Sequence, residues 1–212
     1  MHIAAHRIFL KSAARDFKRT GAVAPSSRAL GCAMTTELAS REKKPARVLE
    51  VGGGTGNITK VIAQAIRPGD SLDVYEIDPA FSAVIKRRLQ NEPGFQEFRS
   101  SISIHNRPIE QIDRRMRYDF IISCLPFTCF EPQMVREIFE IYRDILRPGG
   151  VCSFFEYVLI RKAARFISGS ASERRRVAGV AKVVREYVER YRYKHHLVML
   201  NIPPAIVHHI CF

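Results

Sequence analysis

Residues 48–56 read Val-Leu-Glu-Val-Gly-Gly-Gly-Thr-Gly, an apolar strand pattern that runs into a glycine-rich loop. A helix is predicted to begin near Asn57, so the loop sets glycines beside the free backbone amides of a helix N-terminus. This arrangement lets a ligand approach the backbone closely. The loop lacks the Lys-Ser/Thr pair of a P-loop, which argues against a nucleoside triphosphate.

Strand and helix patterns alternate on both sides of this loop. Strands are predicted at 47–51, 72–76, 101–105, 118–123 and 151–157, with helices at 57–66, 79–90, 109–114 and 132–146. The alternation predicts a parallel sheet with helices on both faces. A further helix is predicted at about 177–192. Two apolar strands that follow it, at 196–200 and 205–211, are joined by a turn too short for a crossover. The fold class is therefore α/β, with a mainly parallel sheet whose last strand is antiparallel.

The composition indicates a globular protein with an unusual charge. The chain has 212 residues, 46% hydrophobic, and a net charge of +13. Its five cysteines include no Cys-x-x-Cys pair, which predicts neither a disulfide framework nor a zinc knuckle and favours a reduced, cytoplasmic protein. No stretch suits a signal peptide or a transmembrane helix, so we expect any membrane contact to come from the cytoplasmic side only.

The positive charge is concentrated in two segments. Residues 1–19 carry five basic side chains and one acidic, and residues 161–194 carry eleven basic and three acidic. The region between them is close to neutral. Two anionic partners remain open at this point, nucleic acid and a phospholipid surface.

The N-terminal segment is predicted to be a basic amphipathic helix, with aromatic and basic side chains on different arcs. It would lie on an anionic membrane or, alternatively, pack against its own domain. The membrane-binding candidates are Arg7, Phe9, Lys11, Arg15, Phe17 and Lys18. We therefore divide the chain into N-terminal helices at 1–40 and a main domain at 41–212, with a basic helical insertion at about 160–192.

Two carboxylates flank the glycine loop in the predicted sheet. Glu50 precedes the loop, where it can meet the ammonium of a bound amino acid, and Glu76 ends the next strand, where a ribose diol would lie. The loop and Glu76 alone also fit a dinucleotide oxidoreductase. Glu50-x-Gly-x-Gly-x-Gly, together with Ser123-Cys-Leu-Pro-Phe127 after the fourth strand, resembles the class I S-adenosylmethionine-dependent methyltransferases over roughly 45–157.

Three further segments are similar to the bacterial phospholipid N-methyltransferases. They are Gly21-Ala-Val-Ala-Pro-Ser-Ser-Arg-Ala-Leu30, Ser123-x-Leu-Pro126 and Asn201-x-Pro-Pro204. This resemblance implies methylation of a lipid amine, such as that of phosphatidylethanolamine or an ornithine lipid, with a basic N-terminal helix on the membrane. The expected partners are an anionic membrane surface and an amino phospholipid.

The resemblance also implies which residues hold S-adenosylmethionine. Gly52, Gly54 and Gly56 would line its methionine part, Glu50 its ammonium and Glu76 its ribose, while Ser26 and Ser27 would close over its carboxylate. Related enzymes often carry an acid after the third strand, where this chain has Asn106. The complete expected set is Ser26, Ser27, Glu50, Gly52, Gly53, Gly54, Thr55, Gly56, Glu76, Ile77, Asn106 and Ser123.

A lipid amine must lose a proton before it can attack, because its pKa resembles that of lysine, about 10.4. Tyr157, Glu156 and Glu131 are the candidates to assist, and Tyr157 is the first choice. Phe127 and Phe130 are candidates for the acceptor wall or, alternatively, for the core. The loop Ser123–Phe127 lacks the Asn-x-Pro-aromatic motif of base-methylating enzymes, which disfavours a nucleic-acid acceptor.

Two histidine pairs, His195-His196 and His208-His209, raise the question of a metal. Adjacent residues on a strand point to opposite faces, so each pair offers one ligand per face, and no carboxylate accompanies them in sequence. No metal site is expected on this basis. Two alternatives to the lipid methyltransferase stay open, an rRNA or tRNA base methyltransferase and a non-catalytic S-adenosylmethionine-binding protein.

Overall fold

The computed structural model describes residues 26–42, 44–96, 98–158 and 170–212. The predicted basic helix at 1–19, with its six membrane-binding candidates, lies outside these residues, as do 159–169 of the predicted insertion. None of the helices within the described ranges is both long and apolar enough to span a bilayer.

The described strands form one seven-stranded sheet. The strands are β1 (Arg47–Val51), β2 (Ser71–Tyr75), β3 (Ile102–His105), β4 (Tyr118–Ser123), β5 (Leu146–Tyr157), β6 (Arg192–Val198) and β7 (Ala205–Ile210). Their order is β3-β2-β1-β4-β5-β7-β6. The first five are parallel, and β7 is antiparallel to both β5 and β6. The predicted sheet with a reversed last strand is confirmed.

Helices cover both faces of this sheet. They are α1 (Arg28–Met34), α2 (Thr36–Ser40), α3 (Asn57–Ala65), α4 (Pro79–Asn91), α5 (Pro93–Gln96), α6 (Pro132–Ile145) and α7 (Ala171–Tyr191). Helices α1 to α5 pack on one face through a core that includes Leu30, Ile62 and Phe95. Helices α6 and α7 pack on the other through Ile138, Phe139 and Tyr187. The carboxyl ends of β1, β2, β4 and β5 thus meet at one open edge.

The predicted helix at 109–114 is a shorter 3-10 turn, Ile109–Gln111. The largest differences between predicted and observed boundaries are at three other places. Helix α7 begins at Ala171, earlier than the predicted 177, because Ser170 and Glu173 form a reciprocal capping box. Strand β6 begins at Arg192, not 196, since an edge strand tolerates charged side chains. Strand β5 begins at Leu146 and bulges before Val151, with Gly149 at a φ of 75°.

Candidate functional site

The glycine loop leaves the carboxyl end of β1 and packs tightly on its neighbours. A Cβ atom added at Gly53 would lie 2.7 Å from Cγ1 of Val74 and 2.8 Å from Cδ1 of Ile85. Only glycine fits between β2 and α4 at that distance. Gly53 therefore serves the packing of the loop, and its contact with the cofactor stays a prediction.

Gly54 differs from Gly53 because the space where its Cβ would lie is open. Its φ is +55°, and an added Cβ would meet no atom of the described residues within 4 Å. The backbone here turns in a conformation that favours glycine, and the space in front of it is open. This open cradle lies at the sheet edge, where the sequence predicts a ligand.

Arg88, on α4, braces the loop and is a site residue that sequence reasoning missed. Its Nη1 donates to the carbonyl of Thr55 at 2.5 Å and to Oδ1 of Asn57 at 3.0 Å. Its Nε donates to the Glu92 carboxylate at 2.6 Å. The i,i+4 spacing of Arg88 and Glu92 indicates their ion pair, but the contact with Thr55 spans 33 residues, and no local pattern shows it.

Glu50 is a fully buried carboxylate at the base of the loop, 0% exposed. Neither of its oxygens has a hydrogen-bond partner of normal geometry among the described residues. Burial raises the pKa of Glu50 to about 8; the nearby Thr59 hydroxyl lowers this pKa, and the neighbouring Glu76 carboxylate raises it. An unpaired acid at such a depth is costly, which indicates a missing cationic or donor partner.

Glu76 follows β2 and faces the loop from the other side. Its Oε2 accepts a hydrogen bond from the Gly54 amide at 2.7 Å, and its Oε1 accepts one from the Asp78 amide at 2.8 Å. Burial raises the pKa of Glu76, while these two hydrogen bonds lower it. The carboxylate is thus held at the loop, with acceptor capacity remaining on both oxygens.

These residues fit the cofactor implied by the resemblance. The unpartnered Glu50 carboxylate suits the ammonium of S-adenosylmethionine, the open cradle at Gly54 leaves room for its methionine part, and Glu76 can accept from ribose hydroxyls. Gly52 and Gly56 complete the turn, with φ of 81° and 83°.

The other expected cofactor residues occupy defined positions around this loop. Ser27 caps α1, accepting a hydrogen bond from the Leu30 amide at 3.1 Å, and Ser26 precedes it, half-buried. Ser123 ends β4, and its hydroxyl accepts a hydrogen bond from the buried Tyr142 hydroxyl at 2.9 Å. Thr55 is exposed in the loop.

Asn106 and Ile77 lie after β3 and β2. The Asn106 side-chain amide donates to the carbonyls of Glu76 at 2.8 Å and Ile77 at 3.1 Å. It therefore holds the backbone segment that carries Glu76. Ile77 is partly buried against the core on the α6–α7 face.

The three candidates for proton handling are not brought together on one face. Glu156 and Tyr157 are consecutive in β5 and point to opposite faces of the sheet. Glu156 contacts Nε2 of His208 at 3.1 Å, beside the α6–α7 core. Tyr157 packs with the core under α1 and α3. Burial raises the pKa of Tyr157 to about 12, so its hydroxyl keeps its proton at neutral pH and can position an amine but cannot deprotonate it.

Glu131 lies apart from both, exposed at the N-cap of α6. It lines a cavity of about 420 Å³ together with residues from the start of α7, among them Arg175 and Arg176. Phe127 and Phe130, in the segment between β4 and α6, are 5% and 1% exposed. Their rings pack edge to face in the aromatic core, so they belong to the core rather than to an open wall.

Comparison with known proteins agrees with this geometry. Residues 49–152 match a family described as a methyltransferase domain. The ornithine lipid N-methyltransferase of Singulisphaera acidiphila is 33% identical over 108 residues, which cover 49% of this chain and 53% of that protein. The human transmembrane O-methyltransferase is 29% identical over 132 residues, 62% of this chain and 45% of that protein. The chain thus spans about half the length of these curated relatives.

The fold itself recurs in solved structures. The O-methyltransferase TomG from Streptomyces achromogenes, solved in complex with SAM, superposes with a TM-score of 0.64 at 17% sequence identity. The match covers 96% of this chain and 90% of that chain. At this identity the similarity establishes a shared fold.

Proposed function

This chain belongs to the class I S-adenosylmethionine-dependent methyltransferases, and from that premise we propose that it methylates the head-group amine of a membrane lipid such as phosphatidylethanolamine. The relative from Singulisphaera acidiphila acts, by its name, on an ornithine lipid, which also presents an amine. The observation that carries the proposal is an exposed apolar turn at the edge of the sheet where the glycine loop opens.

The apolar turn, residues 199–204, joins β6 to β7. Met199, Leu200 and Ile202 are 65%, 82% and 77% exposed. Because β7 runs antiparallel to β5, this turn lies beside the carboxyl end of β5, and the Val158 amide donates to the Pro204 carbonyl at 2.9 Å. Three large apolar side chains in water are unfavourable, and burial in a bilayer would stabilise them.

Asn201 links this turn to the segment predicted to close over the cofactor. Its Oδ1 accepts a hydrogen bond from the Ser27 amide at 3.0 Å, and its Nδ2 donates to the Pro203 carbonyl at 2.8 Å. A bilayer at the turn would therefore lie next to the start of α1. Lipid head groups would be presented at the same edge as the glycine loop.

Basic side chains reach the same edge from α7. The helix precedes β6 and runs back from the carboxyl edge, so its first turns, with Arg174, Arg175 and Arg176, lie there. Arg176 is anchored by hydrogen bonds to the carbonyls of Thr128 and Phe130, in the loop after β4. Cations beside an apolar turn suit a surface that is anionic outside and apolar within.

The chemistry requires a neutral amine in line with the methyl donor. S-adenosylmethionine, when bound, supplies an electrophilic methyl group on its sulfonium. The chain's own residues would hold and orient the two partners, because positioning supplies much of the rate of such a displacement. Partial burial of the amine at the edge would lower its pKa, so that it gives up a proton to water and the neutral form is favoured. The Tyr157 hydroxyl oxygen would accept a hydrogen bond from an amine N–H, which leaves the nitrogen lone pair free to attack the methyl group.

Methyl incorporation from labelled S-adenosylmethionine tests this proposal. We expect label in phosphatidylethanolamine vesicles that contain anionic lipid, and none in ribosomal or transfer RNA. Because one group of relatives methylates oxygen by name, a phenolic acceptor is included. Label in RNA or in the phenol, but not in the amino lipid, would overturn the acceptor assignment.

Tyr157→Phe should lower the rate of methyl transfer about tenfold, the effect of one lost hydrogen bond of roughly 1.5 kcal/mol. Cofactor affinity should not change, since the hydroxyl is proposed to contact the acceptor amine and not the cofactor. A phenol whose pKa is about 12 does not titrate near neutral pH, so the pH–rate profile should keep its shape. An unchanged rate would remove the proposed role of this hydroxyl.

Leu200→Glu and Met199→Glu should each weaken vesicle binding at least tenfold, because each removes an apolar side chain worth about 1.5–3 kcal/mol when buried. Gln90→Glu is the matched control. Gln90 is exposed near the C-terminal end of α4, the helix that follows β2, and β2 is far from β6 and β7 in the strand order. Vesicle sedimentation measures the effect. Equal loss in all three variants would indicate a general charge effect and contradict a role for the turn.

A further inference from the structure

Three potential metal ligands from distant parts of the chain meet at the far edge of the sheet. They are Glu37 on α2, His196 on β6 and His209 on β7, and one ligand atom from each lies within 4.8 Å of the other two. This cluster lies at the opposite end of the sheet order from β2 and its Glu76. It is separate from the glycine loop.

The antiparallel hairpin of β6 and β7 brings the two histidines together. His196 pairs with Val207, so His209, two residues further along β7, lies diagonally across from it on the same face. The two rings are edge to face, with centroids 5.2 Å apart. Their sequence neighbours, His195 and His208, pair on the other face, as the strand periodicity predicts.

One ring nitrogen of each histidine in the cluster is unpartnered among the described residues. Nε2 of His196 and Nε2 of His209 are buried and have no hydrogen-bond partner among the residues that the structure describes. His209 is 0% exposed, and its Nδ1 lies 2.8 Å from the Ser153 hydroxyl, which fixes the ring. Buried nitrogens without partners are unfavourable unless a ligand or an ion occupies the space between them.

We propose that this cluster, Glu37–His196–His209, binds one divalent transition-metal ion through the two Nε2 atoms and one carboxylate oxygen. Two imidazoles and a carboxylate form a ligand set that Zn²⁺ takes readily at bond lengths of about 2.0–2.2 Å, with a fourth position left for water. The Ser153 hydroxyl at Nδ1 of His209 orients that ligand from behind.

Lys194 is the charged group that opposes the ion. Its Nζ donates to Oε1 of Glu37 at 2.8 Å. Burial alone would raise the pKa of this carboxylate, and Lys194 and Tyr193 both lower it. A carboxylate offers lone pairs on both oxygens, so monodentate binding of a metal leaves room for one of these donors. The ammonium nevertheless repels a cation, and its removal should increase metal affinity.

Metal binding here would tie α2 to the β6–β7 hairpin. Helix α2 follows directly on α1, whose N-cap residue, Ser27, donates its amide to Asn201 in the turn of that same hairpin. Ligation by residues of the folded state alone stabilises that state. The expected role is structural, so cofactor binding should not require the metal.

Zinc and cobalt titrations of the chelator-treated full chain test the site. Calorimetry with ZnCl₂ should give one ion per chain, and CoCl₂ should give the visible absorption of a low-symmetry site with imidazole and carboxylate ligands. His196→Ala and Glu37→Gln should each weaken binding at least thirtyfold and abolish the rise in Tm that Zn²⁺ gives the wild type. Lys194→Met should strengthen binding severalfold.

His195→Ala is the matched control, because His195 is an exposed imidazole on the same strand that faces away from the cluster. It should bind Zn²⁺ as the wild type does. The Tm of each variant without metal shows whether it folds. The proposal would be overturned if the wild type bound no zinc, or if His196→Ala bound zinc as tightly as the wild type. It would also be overturned if His195→Ala lost as much zinc affinity as His196→Ala.

Discussion

Gly54→Val should abolish S-adenosylmethionine binding, with an increase in Kd of at least a hundredfold. An added Cβ at Gly54 meets no described atom within 4 Å, so the new side chain would extend into the open cradle rather than clash with the protein. The cost to folding is confined to a strained φ of +55°, about 1–3 kcal/mol. Calorimetric titration measures the affinity, and thermal unfolding measures the stability.

Gly149→Val is the control for this experiment, because Gly149 shares with Gly54 a positive φ and open space where a Cβ would lie. Gly149 has a φ of +75°, an added Cβ there also meets nothing within 4 Å, and it lies in the bulge at the start of β5, at the other edge of the sheet. We expect it to lose similar stability and to keep cofactor affinity. Unchanged affinity in Gly54→Val would refute the location of the cofactor site.

Glu50→Gln should have opposite effects on stability and on cofactor binding. Without cofactor the buried Glu50 carboxyl has no partner of normal geometry in the described structure, and its pKa rises from 4.5 to about 8. The glutamine variant cannot ionise, so it avoids this cost. With cofactor, loss of the charge-assisted bond to the ammonium should weaken affinity about 10- to 100-fold.

The stability effect follows from proton linkage. Between pH 4.5 and about 8 the folded protein holds the Glu50 proton and the unfolded chain does not, so wild-type stability falls relative to the variant as pH rises. The difference should grow by about 1.4 kcal/mol per pH unit, to about 3 kcal/mol at pH 7. Below pH 4.5 both states are protonated, and this contribution disappears.

Urea unfolding of the wild type and Glu50→Gln at pH 5 and pH 8 measures this slope. The pH 5 comparison is the internal control, because it captures any cost of the glutamine amide itself. A stability difference that stays constant between the two pH values would contradict the raised pKa. Cofactor affinity equal to that of the wild type would contradict the contact with the ammonium.

Local pattern predicted much of the fold because the periodicity of buried positions reports the element type directly. Strands β1 and β4 have the bounds that the sequence predicts. Helix α7 was predicted too short although its start carries a Ser-x-x-Glu capping signal at Ser170 and Glu173. Strand β6 was predicted too short because an edge strand exposes charged residues such as Arg192, which resemble the polar face of a helix.

Sequence by itself determined the α/β architecture, the reversed last strand, the glycine loop and the two carboxylates beside it, because each depends on neighbours within a few residues. Tertiary structure decided the rest. Arg88 contacts Thr55, and Glu37 meets His196 and His209, across separate elements of the fold. The burial of Glu50 without a partner likewise depends on the elements packed around it. Such contacts arise only when the sheet order and the helix packing set which surfaces touch, and burial then changes the chemistry of the groups enclosed.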